Sequence, residues 1–241
     1  MRRGLFLVLF IVFCSLSGGY SAFAREGEIS EDSKDEIIIF SPLQLYTQIA
    51  NNGIDQMPSF EAFSAGLKGF NNLKSNQKAL KKDILTLIDF SLDSTQKRFW
   101  VINLKTKKVL FNDLVAHGQN SGLKFAKSFS NASDTHMSSL GFYLTGGTYF
   151  GKHGLSLFLN GMDDNFNNNA RNRSIVMHGA EYVSEDFVKK HGRLGRSWGC
   201  PAVSMNIYKD VIGAIKDGSC LFIYYPDKNY FASSSILNHA I

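Results

Sequence analysis

From residue 83 to about residue 228 the chain is cut into apolar segments of four to eight residues, rich in β-branched and aromatic side chains. ILTLIDFS, RFWVINL and KKVLFNDLVAHG follow one another with polar turns between them, and KTKK between Leu104 and Val109 reads as a hairpin turn. SSLGFYLTGGTYF and HGLSLFLNG repeat the texture, and SIVMHG and SCLFIYYP close it. Segments this short bury their apolar faces by pairing into a sheet, so this region is expected to be mainly β with flanking helices. DNFNNNARN (Asp164–Asn172) reads as a polar loop, and short helices are expected over 184–190 and 206–216.

The preceding stretch has helical texture. In SPLQLYTQIANNG, Ser41 can cap a helix, Pro42 fits its first position and Asn52-Gly53 stops it. After Pro58-Ser59, Phe60, Phe63, Leu67 and Phe70 recur at spacings of three and four and form one core-facing stripe. The expected organisation is an arm and small helical segment over 25–82, a β-rich domain over 83–228 and a C-terminal tail over 229–241. No internal repeat or low-complexity tract interrupts it.

Residues 1–24 read as a secretory signal peptide: Arg2 and Arg3, an apolar run from Leu5 to Phe13, and an Ala22-Phe23-Ala24 cleavage site. The apolar run is too short for a membrane span, so none is expected after cleavage. The remaining chain is expected to be exported to the periplasm or cell envelope, as a monomer. Losing Arg2 and Arg3 takes 26 basic residues to 24 against 21 acidic ones, a net of +3. That mild charge, without a basic run, argues against nucleic acid as a partner.

Export also removes Cys14 and leaves Cys200 and Cys220. Two cysteines in an oxidising compartment suggest one disulfide by default. Their settings argue otherwise: Cys220 lies in the β-forming run SCLFIYYP, and Cys200 lies in the glycine-rich turn GRLGRSWGCPAV. An exposed free thiol on a turn becomes a nucleophile when an imidazole takes its proton, here as a thiolate–imidazolium pair. Four of six histidines precede glycine, His117, His153, His178 and His191, and His178 stands out because it ends the strand SIVM. The Gly179 carbonyl is the candidate partner for its second ring nitrogen. Gly199 lets backbone N–H groups, its own and that of Cys200, converge on an oxyanion. Metal chemistry is not expected, because these histidines lack the close ligand spacings of zinc sites. No cofactor is expected.

SIVMHG followed by GRSWGCPAV resembles the signature of the L,D-transpeptidase (YkuD-type) family, in which a His-Gly strand end precedes a Ser-x-Gly-Cys turn. AHGQNSG, FSNASDTHMSSLGFYLTGGTYFGKHGLSL, NNNARNRSIVMHGAEYV and GRLGRSWGCPAV extend the resemblance to the murein L,D-transpeptidase catalytic-domain-like subgroup over most of residues 80–228. The resemblance implies a YkuD-like β-sandwich catalytic domain and a cysteine acyl-enzyme that works on peptidoglycan stem peptides. By position it implies Cys200 as nucleophile, His178 as base and Gly179 as the orienting carbonyl. Ser138-Ser139-Leu140-Gly141 falls where the family has Thr-Pro-x-Gly, so Ser139 and Gly141 are expected along the cleft, with Arg196, Ser197, Trp198 and Tyr149 as further substrate contacts.

Two positions depart from the commoner pattern: Trp198 replaces a histidine, and Ala202 stands where an arginine follows the cysteine. Trp198 can neither act as a base nor carry charge, and the missing arginine removes a handle for stem-peptide carboxylates. Arg193 and Arg196 are its candidate replacements. GGTYFGKHG reads as a mobile cover, with hinge glycines at 146, 147, 151 and 154. The function expected is L,D-transpeptidation; the alternatives are L,D-carboxypeptidation through the same acyl-enzyme, or a wall-binding module without turnover.

Overall fold

The computed structural model describes residues 41–238 apart from residues 55, 78 and 79. The signal peptide, Cys14 and the N-terminal arm up to residue 40 lie outside the described residues. The elements in chain order are α1 (Pro42–Ala50), α2 (Phe60–Gln77), β1 (Ile84–Asp89), β2 (Phe99–Asn103), β3 (Lys108–Asp113), β4 (Val115–Ala116), β5 (Gly141–Gly151), β6 (Gly154–Gly161), β7 (Val176–Gly179), α3 (Glu185–His191), β8 (Ala202–Val203), α4 (Tyr208–Ile215), β9 (Cys220–Tyr224), α5 (Lys228–Ser233) and α6 (Ser235–Asn238).

The strands hydrogen-bond in the order β3-β2-β1-β9-β5-β6-β7-β8-β4. β1 pairs with β9 in parallel, as β7 does with β8, and the other pairs are antiparallel. The two ends of this order, β3 and β4, are joined through the single residue Leu114. Two Cα–Cα steps span at most about 7 Å, so the sheet must fold back until its edges meet. The result is a mainly β, sandwich-like fold with flanking helices. β9 completes it late in the chain, inserting between β1 and β5 and joining the N-terminal strands to the hairpin that follows.

α1 begins with Pro42 at its N-terminus, though Ser41 makes no side-chain cap bond, and the chain turns away at Gly53 with φ 82°. In α2 the predicted stripe holds for Phe63, Leu67 and Phe70, which are buried. Phe60 departs from it, staying partly exposed and meeting the Tyr46 ring edge-on at 5.4 Å. Both helices contribute to the same core cluster as the sheet, and so do Tyr230, Ile236 and Leu237 of α5 and α6.

α2 approaches the sheet closely because of its glycines. A Cβ at Gly69 would lie 2.1 Å from the Phe142 ring, which is fully buried and stacked on Phe222 at 4.1 Å. Gly213 in α4 is the opposite case, with nothing within 4 Å of its missing Cβ. Gly69→Ala should therefore cost about 1–3 kcal/mol through overpacking. Gly213→Ala should stabilise by up to about 1 kcal/mol through helix propensity. Urea unfolding of the two variants checks this; equal and small changes would mean that α2 does not seat against Phe142.

Candidate active site

Strand alternation divides the residues of β6, β7 and β8 between two environments. Leu157, Leu159, Met177 and Val203 enter the main core. Ser156 and Phe158 pair with His178 and Val176, and His178 pairs with Ala202, so these residues share the opposite face. Tyr149 pairs with Ser156 and joins that face. Cys200 sits two residues before Ala202, on the approach to β8, and its sulfur lies 3.5 Å from the Val176 N–H and 3.7 Å from the Ser174 carbonyl. Cys200 is half-buried, while Cys220 is fully buried in β9, and both are free thiols.

The turn that carries Cys200 is built from Ser197 and Gly199. The Ser197 hydroxyl donates to the Cys200 carbonyl at 2.6 Å and accepts from the Gly199 N–H at 3.1 Å. Gly199 has φ 120°, and a Cβ there would meet the Met137 carbonyl oxygen at 2.7 Å. Glycine is thus required by both conformation and space. The Gly199 N–H, expected to face an oxyanion, is already spent on Ser197, because closing so tight a turn needs an internal acceptor.

His178 is buried at 2% exposure, and its Nδ1 lies 2.9 Å from the Gly179 carbonyl. A carbonyl only accepts, so Nδ1 carries the proton and Nε2 of the neutral ring holds a free lone pair. Gly179 is glycine for a reason other than carbonyl freedom: a Cβ there would press on the Tyr208 ring at 2.7 Å and Met205 Sδ at 2.8 Å. No hydrogen bond joins His178 to Cys200 among the described residues; catalytic pairs often close only around a substrate.

The tip of the β5–β6 hairpin reaches over this pair. The His153 ring stacks on His178 at 4.3 Å, and Lys152 Nζ lies 5.2 Å from the centre of the Trp198 ring. Trp198 is 63% exposed and stacks on His136 at 4.6 Å. The predicted hinge coincides with a register shift between Thr145 and Thr148, which brackets Gly146 and Gly147. Tyr149 stacks on Phe158 at 4.6 Å, whereas Phe150 projects into solvent.

Other predicted contacts stand behind the cleft. Ser139 is buried, bonding the Ser130 carbonyl and accepting from Arg173. Gly141 packs against Asp163 and Asn167. Ser197 is the turn staple described above. Arg196 fastens the 119–122 loop through the Gln119 and Gly122 carbonyls, and Arg193 bonds the Leu194 carbonyl. Polar backbone needs partners when it is packed under a turn, and these side chains supply them.

Sequence reasoning passed over Arg173, Arg98 and His117. Arg173 donates to Ser130, Thr135, Met137 and Ser139, binding the 130–139 loop to the strand that leads into β7. Arg98 is fully buried and donates to the Leu92 and Val115 carbonyls and to His117 Nδ1. His117 then donates through Nε2 to the Gly122 carbonyl, and its own carbonyl accepts from the Ser197 N–H. Burial and the neighbouring Arg98 push the His117 imidazole down to about 3, so it stays neutral. The signal for these residues in the sequence is slight: an arginine directly before SIVM, another just before the strand FWVINL, and a His-Gly pair. Among the described residues no group of three or more His, Cys, Asp or Glu side chains is placed to hold a metal ion.

A family model of the L,D-transpeptidase catalytic domain matches residues 55–224, well over half of the chain. The chain belongs to this family. No curated protein matches it. Among solved structures it is similar to an L,D-transpeptidase from Mycobacterium smegmatis, at 11% identity over 59% of each chain with a TM-score of 0.38. It is also similar to the helical cell shape determining protein Pgp2 from Campylobacter jejuni, at 14% identity over 71% of this chain and 58% of that one, TM-score 0.37. An L,D-transpeptidase from Stackebrandtia nassauensis gives 13% identity, 78% and 92% coverage and a TM-score of 0.35. The chain thus spans under two thirds of the length of the first two. No helix among the described residues is long and apolar enough to cross a membrane.

The electrostatics of this L,D-transpeptidase domain differ from a resting thiolate–imidazolium pair. Burial pushes the Cys200 thiol up, opposed by the Val176 N–H, Arg173 and Lys152. Burial pushes His178 down, helped by His153 and Lys152 and opposed by the Gly179 bond. Both directions favour a neutral thiol and a neutral imidazole at rest. Alkylation of Cys200 by iodoacetamide should therefore rise with pH to a midpoint above the ordinary thiol value of about 8.5. A thiolate–imidazolium pair would instead keep labelling fast below pH 7. Lys152→Met removes a cation that holds the thiol down and should move the midpoint further up. Cys220 should stay unlabelled until the protein unfolds.

Proposed function

We propose that this chain is a cysteine-dependent L,D-transpeptidase, exported to the cell envelope, that cross-links peptidoglycan stem peptides through an acyl-enzyme on Cys200. The observation that carries this reading is the His178 tautomer. The Gly179 carbonyl holds Nδ1–H and leaves Nε2 bare, on a strand that pairs with the one Cys200 leads into.

Cys200 Sγ attacks the carbonyl at the L-centre of the donor's diamino acid, and its proton passes to His178 Nε2. The carbonyl oxygen takes the electron pair, beside the Cys200 N–H. Collapse breaks the C–N bond, and His178 returns the proton to the leaving amine of the terminal D-amino acid. An acceptor amine then attacks the thioester and gives its proton to His178. The C–S bond breaks, the sulfur regains that proton, and the new amide is the cross-link. Transfer rather than hydrolysis is favoured by the hairpin tip, since Lys152 and His153 lie over Trp198 and His178 and limit water at the thioester. Tyr149 and Trp198 supply the exposed contact surface, while Ser139, Gly141, Ser197 and Arg196 act from behind it by holding its shape.

Purified protein given a tetrapeptide donor with abundant acceptor amine should yield cross-linked dimer, read by mass spectrometry. Cys200→Ala should abolish it, and His178→Ala should slow acylation by about 10²-fold or more. His191→Ala should do little, because that ring sits exposed against Phe187 at the end of α3. Trp198→Ala should shift product towards free tripeptide. If the wild type makes only tripeptide, the carboxypeptidase reading replaces this one; equal losses at His178 and His191 would mean the base is misassigned.

A further inference from the structure

The cleft is rich in cations, and all but one of its arginines are spent. Arg173, Arg193 and Arg196 donate to loop carbonyls and hydroxyls. Arg171 is exposed, and among the described residues its side chain makes no hydrogen bond or ion pair. It lies flat on Phe158, with its guanidinium carbon 3.5 Å from the ring centre, and Phe158 is in turn stacked with Tyr149. Stacking uses the face of a guanidinium and leaves its N–H edge free and oriented, which is the geometry for a bidentate bond to a carboxylate.

The place of this edge in the sheet gives it a role. Phe158 pairs with Val176, whose N–H lies 3.5 Å from the Cys200 sulfur. Two strand spacings put the stack on the order of 10 Å from the thiol. That is within reach of a carboxylate one to three residues from a carbonyl held at Cys200. Ala202, at the position where the commoner family pattern has an arginine, offers no charge, and it is buried in a small apolar cluster.

We infer that Arg171, held on the Phe158–Tyr149 stack, recognises a carboxylate of the donor stem peptide and so sets donor specificity. This rests on the stem-peptide reading above. Arg171→Met should raise KM for an acidic tetrapeptide about 10- to 100-fold, the scale of one charge-assisted pair, with kcat less affected. Donors amidated at one carboxylate at a time identify the partner: one amide should reproduce the loss in the wild type and show no further loss with Arg171→Met. An Arg171→Met effect that persists undiminished on the fully amidated donor, or no effect on any donor, overturns the inference.

A second readout does not depend on stem peptides. Wild-type Cys200 should react with iodoacetate relative to iodoacetamide about two- to threefold faster than Arg171→Met does, from the screened attraction alone. Arg171→Lys should restore this ratio but not the low KM, since a point charge steers without forming the bidentate bond. A wild type that turns over no stem peptide yet shows the charge-dependent ratio would retire the stem-peptide reading while the anion-recognising edge stands. An unchanged ratio together with stem turnover insensitive to amidation would retire Arg171. Thermal melting of each variant checks folding; among the described residues the Arg171 side chain makes no hydrogen bond or ion pair whose loss would destabilise the chain.

Discussion

One residue between two strands shapes the molecule. Leu114 alone separates β3 from β4, yet these strands stand at opposite ends of a nine-strand order. The sheet has to curl to satisfy that connection, and the curl places the 117–122 loop beneath the cysteine turn. Arg98 seals the seam from inside: its donors hold Val115 in β4, Leu92 in the preceding loop and the His117 ring. A guanidinium so deeply buried is costly to place and costlier to unpair. Through His117, whose carbonyl accepts from Ser197, the seam is continuous with the turn that presents Cys200.

The same economy of partners explains why the cleft is electropositive without being crowded. Most basic side chains near Cys200 are committed to backbone carbonyls of the loops around it, where they replace water under a tight turn. Their positive field still reaches the thiol, and Arg173 and Lys152 both oppose the upward push of burial. Burial favours a neutral thiol and a neutral imidazole, the latter with its Nδ1–H held by the Gly179 carbonyl.

The hairpin between β5 and β6 joins an anchored half to a tip that packs on the His178 and Trp198 rings. Its tip holds the histidine that stacks on His178 and the lysine that lies over Trp198, and the register shift at Gly146 and Gly147 separates that tip from the anchored half of β5. Thr145, on the anchored side, is bonded to Ile215 and Ser219 and is buried. One strand thus serves two roles because a bulge breaks its ladder between them.

The sequence by itself determined the element types, the core stripe of α2 at Phe63, Leu67 and Phe70, the strand end at His178 and the glycine-rich turn at Cys200. These are local matters: apolar period, turn chemistry and β-propensity act over a few residues and can be read there. It also placed the chain in its family, because the His-Gly and Ser-x-Gly-Cys stretches are short and contiguous. What only the tertiary structure decided was which polar side chains face the cleft and which support it. Arg196, Ser197 and Ser139 look like ligands for a substrate in one dimension, but the loops packed around them leave carbonyls and N–H groups that must be satisfied, and these side chains are the nearest donors and acceptors. Arg171 escaped notice for the converse reason: its partner is an aromatic face thirteen positions away, brought beside it by the register of β6 against β7. Strand register and loop satisfaction are long-range properties, and no local pattern of residues encodes them.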